Sequence, residues 1–154
     1  MSGFSGPAQG QIPGTTTNDN ATAGRIGEYV ESVILVGSAV SVTSGASKTI
    51  ASISLTAGDW DVDQVMYFVP AATTNVTQML CSFSLTTNVI DTTPGRFNSL
   101  TLPAFVPGAT SLAVALPAYR FSLSGSTTIF AIANATFTVS TMTSYTIIRA
   151  RRPR

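Results

Sequence analysis

The sequence predicts an all-β fold, a jelly-roll-like antiparallel β-sandwich carried on an extended N-terminal arm. Three observations carry this. Apolar residues recur with a period of two from about Glu31 onward, turn formers interrupt the runs at short intervals, and no segment keeps the 3.6-residue period of an amphipathic helix.

Taken in order, Thr49 to Leu55 sets Ala51, Ile53 and Leu55 against Ser52 and Ser54, as a half-buried strand requires. Asp59 to Asp63 repeats the pattern, with Trp60 and Val62 inward and the three aspartates outward. Thr77, Met79, Cys81, Phe83 and Leu85 share one face, Leu112, Val114 and Leu116 another, followed by Phe121 and Leu123. A long run then sets Ala131, Ala133, Ala135, Phe137 and Val139 against Phe130, Ile132, Asn134 and Thr136, and Ser144 to Ile148 closes the series. Ala57-Gly58-Asp59, Pro70-Ala71-Ala72, Thr93-Pro94-Gly95, Pro107-Gly108 and Ser124-Gly125-Ser126 lie between the runs as turns. About eight such strands imply a sandwich or barrel. The Cys…Trp…Cys pattern of immunoglobulin domains is missing, which favours a jelly roll; an up-and-down barrel stays open.

Residues 1–30 differ in character. They are rich in Gly, Pro, Thr and Asn, and a segment of this composition cannot bury enough apolar surface to fold alone. The expected division is therefore an attachment arm over 1–30 and a β-sandwich domain over 31–154.

Charge is scarce. With 8 Lys+Arg and 7 Asp+Glu in 154 residues, only 10% of the chain is charged, against roughly 25% in an ordinary soluble domain. The stretches Gln64 to Ile90 and Phe121 to Ile148 carry no charge at all. A surface without mixed charge points to coverage by partners, and so to oligomerisation. No run approaches the roughly 18 consecutive apolar residues of a membrane span, so no membrane insertion is expected. The opening MSGFSGPAQGQIPG has neither an early basic residue nor an apolar core, so no secretory leader is expected either.

Catalytic chemistry finds little support. The chain has no histidine, which removes the usual general base and the commonest metal ligand. Cys81 is alone and reads as a small buried hydrophobe. Asp59, Asp61 and Asp63 fail the EF-hand pattern, because Gln64 and Pro70 stand where Gly and Glu are needed; they read as the solvent face of a strand or a weak structural cation site. No phosphate-binding glycine loop occurs, so no cofactor and no enzymatic activity are expected. The closing Arg149, Arg151, Arg152 and Arg154 supply four of the eight basic residues. They could be a solvated or intersubunit-paired terminus, or a docking tail for a protein partner; with a net charge of +1 and no aromatic platform, nucleic acid is the least expected partner.

Gly10 to Val30, Ala51 to Val62, Phe68 to Thr74 and the closing Ile148 to Arg152 together resemble a group of small structural proteins of tailed bacteriophages and prophages. The resemblance implies a virion component assembled in the bacterial cytoplasm. It also implies a homotrimer of jelly rolls of the head-fibre or capsid-decoration kind, with phage capsid or tail proteins as partners. On that reading Ile12, Pro13, Ile26 and Tyr29 in the arm attach to the particle. Val65, Tyr67, Phe130 and Ile132, on an outer sheet face, pack between subunits. The alternative is a tail-fibre tip or adhesin that binds host-surface glycan, with Tyr67, Tyr119 and Tyr145 as stacking platforms.

Overall fold

The computed structural model describes residues 19–154. Its strands are β1 (Tyr29–Ile34), β2 (Val40–Val42), β3 (Lys48–Leu55), β4 (Gly58–Pro70), β5 (Asn75–Ser84), β6 (Phe97–Phe105), β7 (Leu112–Leu123), β8 (Thr127–Thr138) and β9 (Met142–Arg151). Two antiparallel sheets face each other. One has the order β1-β9-β4-β7, with β2 also pairing β9, and the other β3-β8-β5-β6.

The pairings are nested: β5 with β6, β4 with β7, β3 with β8, and β1 with β9. A chain paired in this way is one long antiparallel ribbon rolled into two layers, which is the jelly-roll topology. The all-β sandwich predicted from the period of two is the fold of the protein.

The alternation does the packing. On β4, Trp60, Val62, Met66 and Phe68 are completely buried, while Asp59, Asp61, Asp63, Val65 and Tyr67 point out. They meet Ile53 and Leu55 of β3, Met79, Cys81 and Phe83 of β5, and the Ala131, Ala133 and Ala135 row of β8 in one core. Small residues on β8 leave room for the large side chains opposite, and each buried aromatic or branched side chain is worth about 1.5–3 kcal/mol in area removed from water. Phe83 and Phe121 close one end edge-to-face, with centroids 6.0 Å apart.

Three irregularities adjust the faces. In β7 the buried residues change phase, from Val114 and Leu116 to Phe121, because Pro117 and Ala118 together oppose Asp63 where the β4 register shifts. In β5 a register shift between Val76 and Gln78 buries Val76 and turns Thr77 out of the inward row. Leu85, expected to extend that row, lies beyond the strand end and is exposed. Val139 lies just past β8, 80% exposed, with a positive φ of 81°. It too leaves its expected row.

Candidate functional site

The outer face of the β1-β9-β4-β7 sheet divides into two chemically distinct halves. Its side chains come from alternate residues of four strands, and the register sets them in rows. Tyr29, Arg151, Asp61 and Arg120 stand side by side; Glu31, Arg149 and Asp63 form the next row. Val33, Ile147, Val65 and Ala115 follow, and then Tyr145, Tyr67 and Ala113. The face is thus ionic along one half and apolar along the other.

In the ionic half, Arg149 Nε donates to Asp63 Oδ1 at 2.6 Å and the Tyr29 hydroxyl donates to Glu31 Oε2 at 2.8 Å. Asp59 accepts from Arg154 Nε at 2.5 Å on one oxygen, and from Arg120 Nε and Nη2 at 3.0 and 2.8 Å on the other. The hydrogen bond from Arg154, then those from Arg120, hold the Asp59 carboxyl down at about 2. Partial burial, then the Glu31 carboxylate, push the Tyr29 phenol above its ordinary value. Asp59 and Asp63 are therefore occupied by arginines, and among the described residues no three His, Cys, Asp or Glu side chains gather as metal ligands.

In the apolar half, the rings of Tyr67 and Tyr145 stack with centroids 4.6 Å apart and planes 3° from parallel. Beside them the chain leaves the sheet. Ile34 still pairs with Thr146, the segment Val36–Ser38 makes a 3-10 turn, and pairing with β9 resumes at Val40 opposite Ser144. The excursion walls an open groove of about 760 Å³ against Tyr67, Tyr145 and Ile147. Leu35 and Val36 on its rim are 68% and 62% exposed.

The expected site residues do not form one surface. Val65 and Tyr67 belong to this face, but Phe130 and Ile132 lie on the outside of the other sheet. Ile132 is fully buried within the single chain. Its register partners are Thr49 and Ser82; Thr49 bonds to Thr87 and Asn88, and Ser82 accepts from the Asp91 amide. The segment from Thr87 to Asp91 thus covers Ile132, which cannot pack against another subunit. Ile12 and Pro13 lie outside the described residues. Ile26 is 67% exposed in the turn before the sandwich, while Tyr29 is already the first residue of β1. Of the three tyrosines, Tyr119 packs against the core beneath the Arg96 guanidinium, 4.9 Å from its ring centroid, so it shares no platform with Tyr67 and Tyr145.

The arginine tail is likewise not a free appendage. Arg149 and Arg151 are strand residues of β9, the first paired to Asp63 and the second in register with Asp61, and Arg154 binds Asp59. Arg152 turns inward. Its Nε meets Glu28 Oε2 at 3.0 Å, Nη1 donates to the Ala57 carbonyl at 3.1 Å and Nη2 to Thr56 Oγ1 at 2.7 Å. Its guanidinium carbon lies 4.3 Å from the centre of the Trp60 ring.

Sequence reasoning overlooked Leu35, Val36 and Glu28. The first two carried a signal: Val33-Ile34-Leu35-Val36 is four apolar residues in a row, which cannot all face one side of a strand. Glu28 carried none. No protein-family model matches the chain, and no curated protein sequence matches it.

Proposed function

We propose that the chain is a non-enzymatic structural protein of a bacteriophage virion, a homotrimeric surface appendage of the capsid-decoration or head-fibre kind anchored through its N-terminal arm. The observation that carries the oligomer is the apolar half-face: Val33, Leu35 and Val36 are 44%, 68% and 62% exposed and run on into Val65, Tyr67, Tyr145 and Ile147. Soluble monomers rarely leave so continuous an apolar area open to water. Covering it in a second and third copy recovers about 1.5–3 kcal/mol for each large side chain buried. The placement in a virion rests on the sequence resemblance, with which a jelly roll and a low-charge surface agree.

Light scattering on the full-length chain tests the assembly. A mass of about three times 16.0 kDa is expected, falling to one chain in Leu35→Asp, whose side chain is outside the core. A full-length chain that stays monomeric at every concentration overturns the trimer. Mass spectrometry of purified phage particles tests the location, and absence of the chain from intact particles overturns it.

The groove beside Tyr145 supports a second reading, a tail-fibre tip or adhesin, because its volume is in the range of small-ligand sites. Glycan-array binding abolished by Tyr145→Ala would favour it over the appendage.

A further inference from the structure

On the outer face of the β1-β9-β4-β7 sheet, charge is sorted by strand as well as by height. The outward residues of β9 run Arg151, Arg149, Ile147, Tyr145, and those of β4 beside them run Asp61, Asp63, Val65, Tyr67. β9 thus brings cations and β4 anions to the ionic half, while in the apolar half the two strands match row for row. Face-to-face packing that reverses the strands lays the ionic half of one copy on the apolar half of another, burying charge without a partner. Shifting it to overlay the ionic halves alone sets arginine on arginine. A rotation axis parallel to the strands, by contrast, keeps every row level. Placed over the seam between β9 and β4, it brings the cationic column of one copy against the anionic column of the next. Arg149 then meets Asp63 of the neighbour, Arg151 meets Asp61, and Tyr145 meets Tyr67. Over the β4–β7 seam Asp63 would face Pro117 and Ala118 instead, and over the β1–β9 seam Arg151 would face Tyr29.

We infer that copies of this chain associate around such an axis, parallel to β4 and β9, with β9 of each copy against β4 of the next; the number of copies rests on the trimer proposed above. Complementarity of charge selects the arrangement. Because Arg149 already bonds Asp63 of its own chain, the copies close a ring of charges that alternates in sign about the axis. Next to the ring along the axis, Ile147, Val65 and the stacked tyrosines form an apolar core. Shape agrees. Leu35, one residue past the Ile34–Thr146 pair, stands level with Tyr145 on the β1 side of the face. The neighbour presents β7 there, and at that height β7 carries Ala113, with Ala115 one row away, both exposed and small enough to admit the Leu35 rim. Copies so related are parallel. The turn over residues 19–28, tied to Tyr29 through Asn20 and to Arg152 through Gly27, sits at the ionic end of each, so every chain enters the assembly from one side.

Subunit mixing of the full-length protein tests the arrangement. A chain carrying both Asp63→Arg and Arg149→Asp keeps the ion pair within each copy and restores the alternating ring among copies of itself. Wherever it adjoins an unaltered chain, like charges meet. The exchanged chain and an isotope-labelled unaltered chain are refolded together from urea, and the assemblies are weighed by native mass spectrometry. Labelled and unlabelled unaltered chains treated alike supply the statistical proportion of mixed assemblies. Assemblies that mix exchanged and unaltered chains should fall at least roughly tenfold below it. Free mixing among trimers overturns the arrangement and leaves the trimer standing, and so does an exchanged chain that folds by circular dichroism yet stays monomeric. Self-sorting among dimers keeps the axis and overturns the trimer. An unaltered chain that is monomeric at every concentration overturns both. Where the exchanged chain does not fold, cross-linking decides. Val65→Cys and Ile147→Cys chains, mixed under mild oxidant, should join each other several-fold faster than either joins itself, and equal rates or no link at all overturn the arrangement.

Discussion

Glu28 and Arg152 form a buried ion pair that ties the residue before the first strand to the residue after the last. Their side chains are 9% and 6% exposed, and each of the three guanidinium nitrogens has a hydrogen-bond partner. Glu28 Oε2 also accepts from the Gly24 amide at 2.7 Å, and Nη1 and Nη2 of the guanidinium reach the Ala57 carbonyl and Thr56 Oγ1. Removing one partner leaves a buried charge alone. Arg152→Leu is therefore expected to cost about 3–5 kcal/mol, read as a lower urea midpoint with unchanged slope. Arg152→Lys should recover little, because an ammonium cannot make the same fork of bonds from a position over the Trp60 ring.

Gly58 is required by the same cluster. Its φ is 128°, a conformation L side chains rarely adopt, and a β-carbon there would collide with Arg152 Nη1. Gly58→Ala should destabilise by more than the roughly 1 kcal/mol of an ordinary glycine replacement, and should also displace the guanidinium. Thermal melts checked against Gly125→Ala, where the added carbon meets open space, isolate the effect.

Acid should weaken the fold through Asp59. Its carboxyl titrates at about 2 in the folded chain, held down by Arg154 and Arg120, against about 3.9 in an unfolded one. A depressed carboxyl contributes stability that is complete above about pH 4 and lost as pH falls toward 2. Asp59→Asn should therefore flatten the decline of the urea midpoint between pH 4 and pH 2, and leave its slope above pH 5 unchanged.

Cys81 should be inert in the native protein. Burial pushes its thiol up to about 12, outweighing the neighbouring Gln64 side chain and the Asn98 backbone, which act the other way. At pH 8 an aromatic disulfide reagent should label it only at the rate of unfolding, and promptly in urea. Fast labelling of the folded chain would contradict the packing described for β5.

The parts of the fold legible in the sequence were those governed by local alternation. Trp60 and Val62 against the aspartates, and Met79, Cys81 and Phe83 on one face, could be read directly because each strand is buried on one side only. β6 escaped notice because it is the outer strand of its sheet: Asn98 to Thr101 are exposed, Pro103 interrupts it, and no face alternates. Ile132 was misplaced for the opposite reason, since its covering segment comes from a loop whose position no periodicity encodes. The rows of the ionic and apolar half-faces depend on the register between strands remote in sequence, and the Glu28–Arg152 pair spans 124 positions. Neighbour spacing carries no trace of either.

The nested pairing has a consequence for synthesis. β9 is the last of these nine strands to leave the ribosome, yet β1, β2 and β4 all hydrogen-bond to it. Until those ten residues emerge, one whole layer of the sandwich lacks its central strand, and the apolar faces of the other strands have nothing to close on. The nascent chain can form little beyond its innermost ribbons. Closure of the sandwich is therefore expected to wait for β9, and a premature stop shortly before Met142 should yield an aggregation-prone fragment instead of a smaller stable domain.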